Sequence, residues 1–324
     1  VKKWYEHLNN LDAGNRENGR ERREEKVNQL QENIRGEISN ALSVAQNTEE
    51  IKEFSRELFD AVRRGDVDEI KSLLEIQLFL EKGFNPNINI MDNFGKTPLH
   101  RASEYGYYEV VKLLLENGAK PNIPNNNGET PLFVASYHGD NRIVQLLLSY
   151  NANPNVVDSF GKTPLIWASE HGYYEVVKLL LENGAKPNIA DHYYYKTPLH
   201  WASEKGHNRV VELLLENGAK PNILNNNGFT PLHLASCNGY YEIVKLLLAN
   251  GADIHKADDD GRTSLYWASY YGHYEVVRLL LVNGADPNKA DKNGRTPLDV
   301  SSRNNHTKVV ELLQQYGAKN GAKK

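Results

Sequence analysis

Apolar residues recur along this chain in blocks that have helical spacing inside and a fixed spacing between. From Val110 to Leu115 the order Val-Val-Lys-Leu-Leu-Leu lays a wide apolar stripe on one side of a helix, with Glu109 and Lys112 interrupting it. That block ends at Asn117-Gly118. A shorter block precedes it. Thr97 predicts an N-cap, and Pro98 stands at the first helical position, where a missing N–H costs no bond. Gly106 permits the positive φ that closes this helix. Between blocks lie stretches rich in Asn, Pro and Gly, such as 119–129, which predict extended turns.

The blocks repeat. Thr-Pro-Leu or Thr-Ser-Leu begins at Thr97, Thr130, Thr163, Thr197, Thr230, Thr263 and Thr296, at intervals of 33, 33, 34, 33, 33 and 33 residues. Residues 107–123 and 173–189 are identical. A period of this size over most of a chain predicts a stacked solenoid, since each unit buries its apolar face only against its neighbours. An eighth copy, Leu58 to Asn87, lacks the threonine start. Its two glycines, Gly65 and Gly83, lie 18 residues apart against 12 for Gly106 and Gly118, so its second helix is lengthened or followed by an extra turn.

The TPLH, GYYEVVKLLLENGA and PN signatures at this spacing resemble ankyrin repeats over residues 54–318. The resemblance implies an all-α solenoid of antiparallel helix pairs with projecting β-hairpin fingers, stacked into a curved slab. It also implies a partner surface on the concave side, made of finger tips and first helices, and a role for His100, His200 and His233 in bonding the backbone between fingers. On this reading 54–91 is an N-cap repeat, and repeats start near 92, 125, 158, 191, 225 and 258. A C-cap repeat covers 291–318, and a disordered tail covers 319–324.

The positions that vary between copies are the candidates for recognition. The main departure is the finger at Asp191, one residue longer than the others and without glycine: His192, Tyr193, Tyr194, Tyr195, Lys196. Consecutive extended residues point to opposite sides, so three adjacent tyrosines cannot all be buried, and tyrosine is enriched where partners bury a rigid ring. Phe160 and Phe229 sit on the fingers to either side. Tyr137, His138, His171 and Lys205 end first helices and are expected to face the same hollow, with Tyr270 and Tyr271 in those places further on.

Other anomalies carry structural expectations. Tyr107, Tyr173 and Tyr240 recur at one register and predict packing between repeats. Trp167, Trp201 and Trp267 predict core packing. Arg101, at the tryptophan register, is expected to snorkel past the cap to water. Asn151 and Asn305 replace glycines at positive φ.

Residues 1–53 do not fit the repeat. Val27, Leu30, Ile34, Ile38, Leu42 and Ala45 recur at helical steps behind a densely charged stretch and predict an amphipathic helix. It would cap the first repeat, self-associate as a coiled coil, or be the end of a preceding domain.

Composition narrows the function. The 38 basic and 42 acidic residues leave a net charge of -4, which disfavours phosphate-driven nucleic-acid binding. No apolar run approaches the roughly 20 residues of a membrane span. The single cysteine, Cys237, excludes an internal disulfide and fits a reducing, cytoplasmic setting, with delivery into a host cell as a further option. No motif for catalysis, metal or cofactor binding is present. The expectation is a non-enzymatic scaffold that grips a protein or peptide. Its alternative is the targeting arm of a larger enzyme, toxin or host-directed effector.

Overall fold

The computed structural model describes residues 49–79 and 87–321. The predicted amphipathic helix from Val27 to Ala45 lies outside them. The chain divides into two compact units, Val1–Leu58 with Ser72–Pro86 and Phe59–Lys71 with Asn87–Lys324. Sixteen helices occur among the described residues. The first two are α1 (Glu49–Arg64) and α2 (Val67–Phe79). At 13 residues α2 is longer than the nine-residue second helices of the later copies, so at least part of the extra sequence before Gly83 extends the helix.

Seven helix pairs follow: α3 (Pro98–Tyr105) with α4 (Tyr108–Glu116), α5 (Pro131–His138) with α6 (Asn141–Ser149), and α7 (Pro164–His171) with α8 (Tyr174–Glu182). Next are α9 (Pro198–Lys205) with α10 (Asn208–Glu216), and α11 (Pro231–Cys237) with α12 (Tyr241–Ala249). The last are α13 (Ser264–Tyr271) with α14 (Tyr274–Val282), and α15 (Pro297–Arg303) with α16 (Thr307–Gln315). Each first helix packs on its own second helix and on the first helices before and after it, while second helices pack in a parallel row. This is an all-α repeat solenoid.

Local chemistry sets the helix ends. The Thr97, Thr130, Thr163, Thr230, Thr263 and Thr296 side chains accept the N–H three residues on. Gly106 closes α3 at φ 75°. Asn151 and Asn305 adopt φ 60° and 59°, as their substitution for glycine predicts. Second helices starting at Tyr or His have no side-chain cap bond. Instead the ring covers the closing glycine of the preceding repeat: a Cβ on Gly206 would lie 2.9 Å from the Tyr240 ring, and one on Gly139 would lie 3.1 Å from Tyr173. The tyrosines at this register therefore pack between repeats.

The core is the apolar stripe read from the sequence. Leu99, Val111, Leu114, Leu132, Leu147, Leu165, Leu180, Leu199, Leu214 and Leu247 are at most 1% exposed. Each contributes about 1.5–3 kcal/mol through burial. Polar bridges run beside it. The Asn122 side chain accepts the Asn153 N–H at 2.7 Å and donates to the Asn151 carbonyl at 3.0 Å, one repeat on. Asn155, Asn188, Asn222 and Asn288 repeat that double bridge. The last holds Lys319, so the expected disordered tail is tied down at its start.

The fingers are turns more than hairpin ladders. Among the described residues the one β-bridge is isolated, Ala257 with Thr263. A finger closes on its own backbone bonds, as from Asp158 N to the Lys162 carbonyl and from Gly161 N to the Asp158 carbonyl, both at 3.0 Å, and spends its outer groups on the next finger, as from His192 N to the Phe160 carbonyl at 2.9 Å.

Candidate interaction surface

The finger at Asp191 is fixed in its backbone and open in its side chains. His192 N–H binds the Phe160 carbonyl on one side. On the other, Asn226 donates its backbone N–H to the Tyr194 carbonyl at 3.1 Å and its side-chain amide to the Tyr193 carbonyl at 3.0 Å. Tyr193, Tyr194 and Tyr195 are 71%, 43% and 59% exposed, with the Tyr194 ring edge-on to Tyr193 and Trp201. The extra residue lies inside the turn, because Asp191 N–H bonds the Lys196 carbonyl, five residues on rather than four. Tyr195 takes φ 55°, where the other fingers use Gly95, Gly128, Gly161, Gly228, Gly261 and Gly294. A left-handed tyrosine costs roughly 1–2 kcal/mol.

Most of the sequence-selected residues are open. Phe160 is 63% exposed, Tyr137 43%, Tyr270 39% and Tyr271 50%. His138, His171, His192 and Lys205 are exposed, and Phe229 is half-buried. Lys196 departs from expectation. It is 8% exposed, its ammonium pairs with Glu204 at 2.6 Å, and it lies 4.2 Å from the centre of the Trp201 ring. The position before the threonine varies between copies, but in three of them it holds a lysine tied to the end of its own first helix: Lys96–Glu104, Lys162–Glu170 and Lys196–Glu204.

Two aromatic clusters form on this side. In the first, Tyr137 meets Trp167 at 5.0 Å and His171 at 5.9 Å between ring centres, and His171 stacks on Trp167. Lys162 stands 4.0 Å from the Trp167 ring centre and 4.5 Å from that of Trp201, linking this cluster to the tyrosine finger. In the second, Trp267 meets Phe229 edge-on at 5.5 Å and stacks on Tyr271 at 6.1 Å.

Of these three tryptophans, Trp201 is buried as a core residue, and Trp167 and Trp267 are half-buried members of these clusters. Trp201 Nε1 donates to Asp191 Oδ2 and Trp267 Nε1 to Asp258 Oδ2, both at 2.9 Å. Arg101 does not snorkel. Its guanidinium is held by Asp92 and Glu104. Burial alone would raise the Asp92 carboxyl, but Arg101 and the Lys96 and Phe94 N–H groups outweigh it and hold the acid below its usual range.

The three TPLH histidines are buried and bridge repeats. His100 Nδ1 accepts the Thr97 N–H at 3.0 Å, which leaves Nε2–H to donate to the Glu129 carbonyl at 3.0 Å. His200 and His233 do the same with the Phe229 and Arg262 carbonyls, at 3.1 Å and 3.2 Å. Burial pushes each down to about 4. Burial likewise raises the Cys237 thiol to about 12, which removes it as a nucleophile at neutral pH.

Across the described residues no group of three or more His, Cys, Asp or Glu side chains could hold a metal, and no helix is long and apolar enough to cross a membrane. A concavity of about 650 Å³ lies on the second-helix side around His273, Val276 and Leu312. Its mouth is polar and charged.

Family models described as ankyrin repeats match residues 119–191, 190–258 and 250–324, and a further one matches 80–132. The chain belongs to the ankyrin-repeat family. Ankyrin repeats generally mediate protein–protein contacts and are typically non-catalytic. Similar proteins include BTB/POZ domain-containing protein 3 of Schizosaccharomyces pombe, 42% identical over 25% of this chain and 14% of that protein. The putative ankyrin repeat protein FPV222 of fowlpox virus is 40% identical over 20% of this chain and 8% of its own length. Human ankyrin repeat domain-containing protein 39 is 39% identical over 25% of this chain and 40% of its own. The chain thus covers well under half of the relatives it matches.

Sequence reasoning missed several members of this ankyrin surface. Phe94 and Met91 are 66% and 55% exposed on the first finger, and Phe94 shares the register of Phe160. Trp167 and Trp267 differ from the expectation of core packing, since both are half-buried. A partial signal is in the sequence: Asp92, Asp158, Asp191 and Asp258 accompany Arg101, Trp167, Trp201 and Trp267, and Asn125 and Asn225 accompany Val134 and Leu234, but Asp291 accompanies Val300.

Proposed function

We propose that this ankyrin-repeat chain is a non-enzymatic interaction module that grips an extended segment of a protein partner on its concave side, formed by fingers and first helices. The observation that carries the reading is the finger at Asp191. Its backbone is pinned from both neighbours while three tyrosine rings stand open, a rigid presentation that lowers the ordering cost of binding. The aromatic clusters around Trp167 and Trp267 extend the contact on either side. Affinity for a partner purified after capture tests the reading. Replacing Tyr193, Tyr194 and Tyr195 together by Ala weakens binding by more than about 1 kcal/mol, with thermal unfolding not lowered. Undiminished affinity contradicts it.

A second reading keeps the same surface and makes the chain the targeting arm of a larger protein, including a host-directed effector. It is favoured by the similarity to short stretches of longer proteins, one of them named for a BTB/POZ domain. The sequence of the full gene decides between the two.

A further inference from the structure

Two copies of the repeat differ informatively. Residues 92–104 read DNFGKTPLHRASE and residues 158–170 read DSFGKTPLIWASE. Asp92, Phe94, Lys96 and Glu104 recur as Asp158, Phe160, Lys162 and Glu170, but Arg101 is replaced by Trp167. In the earlier copy the Arg101 guanidinium binds Asp92 Oδ2 through Nε at 3.0 Å, binds Glu104 at 3.0 Å and lies 5.8 Å from the Phe94 ring centre. The molecule thereby shows what the Asp-Phe-Glu set holds when a guanidinium is supplied.

In the later copy the Trp167 indole stands at that register, and among the described residues no guanidinium reaches Asp158. Asp158 is 6% exposed, and its hydrogen bonds fall on Oδ1 alone, from the Phe160 N–H at 2.9 Å and the Lys162 N–H at 2.8 Å. Trp201 and Trp267 satisfy their finger aspartates through Nε1. Trp167 does not: its Nε1 is buried without a partner. Lys162 pairs with Glu170 at 2.8 Å just as Lys96 pairs with Glu104. Counting Asp, Glu, Lys and Arg in the two sets, the earlier copy is neutral and the later one carries one net negative charge. Phe160 stands open beside it.

We propose that Asp158, Phe160 and Glu170 form a subsite for an arginine side chain of the partner, which takes the role that Arg101 plays within its own copy. The inference rests on reading this side of the molecule as the partner surface. A guanidinium fits better than an ammonium because a planar fork reaches the free carboxylate oxygen while lying along a ring. Reaching Asp158 requires the Trp167 indole, which no hydrogen bond fixes but which packs on Tyr137, His171 and Lys162, to move aside.

The test is an NMR titration of the full ¹⁵N-labelled chain with N-acetyl-arginine methylamide, read at the Trp167 indole N–H and the Phe160 amide. N-acetyl-citrulline methylamide, a neutral isostere, is the control. Arginine shifts both signals saturably, with affinity on the order of millimolar as expected of one side chain, and citrulline at equal concentration does not. Asp158→Asn weakens the response at least fivefold. That variant keeps its turn, because Asn125 and Asn225 hold the same turn through Oδ1. Trp167→Arg supplies the guanidinium from within and abolishes the Phe160 response. Equal shifts with citrulline, an unchanged response in Asp158→Asn, or no response at all overturns the subsite. None of these touches the broader reading, which stands or falls on the tyrosine variant.

Discussion

Trp201 donates its indole N–H to Asp191 Oδ2 at 2.9 Å, across the ten residues between the finger and its own first helix. The same bond joins Trp267 to Asp258, and Arg101 makes its charged counterpart to Asp92. In these three copies a bond between the two positions locks finger to helix; Trp167 makes no such bond, and Asp291, whose helix carries Val300, is bound by Arg295 and Tyr266 instead. Where the finger carries Asn125 or Asn225, the helix carries Val134 or Leu234 and no donor is needed.

This coupling is measurable by a double-mutant cycle in urea. Trp201→Leu alone leaves a buried carboxylate oxygen unpaired and costs about 3 kcal/mol. Asp191→Asn alone keeps the turn, weakens the indole bond and costs about 1 kcal/mol. The double variant recreates the Asn225–Leu234 pairing and is more stable than the sum of the two losses by about 1 kcal/mol. Strict additivity contradicts the locking role.

Tyr195 stands at φ 55° in a place that six other fingers give to glycine. Tyr195→Gly relieves that strain and stabilises the chain by roughly 1 kcal/mol, raising the melting temperature by about 2–4 °C. Differential scanning calorimetry reads it. A fall in melting temperature means that the ring contributes to packing rather than standing ready for a partner.

Acid acts through His100, His200 and His233. Burial holds each near 4 in the folded chain, against about 6.5 when unfolded. Between these values the unfolded chain binds more protons, so stability is fully present above pH 6.5 and is lost as pH falls toward 4. From pH 7.5 to pH 5 the loss is roughly 1–2 kcal/mol per histidine. Urea midpoints at the two pH values check it. Replacing the three by the residues found at that register elsewhere, Phe133, Ile166 and Tyr266, flattens the dependence.

The repeat, its helix pairs and its caps were legible because a 33-residue period writes each apolar stripe and each Thr-Pro start many times over. Local chemistry also fixed Asn151 and Asn305, since positive φ leaves few residue types. The side of the tryptophans was not legible from hydrophobicity. An indole reads as core, whereas Trp167 and Trp267 sit half-buried among the tyrosine and histidine rings that end the first helices. Lys196 shows the converse. It varies among copies as a surface residue does, yet it lies buried between Glu204 and the Trp201 ring. Variation marked freedom to change in concert, not freedom from contact.

The central claim, that the finger and first-helix side meets the partner, is tested most directly by photo-crosslinking from single positions. A benzoylphenylalanine at Tyr193 (71% exposed) is compared with one at Val282 (65% exposed), on the second-helix side. Crosslinking to the purified partner from position 193 and not from position 282 is the expected result. Efficient crosslinking from 282, with none from 193, contradicts the account.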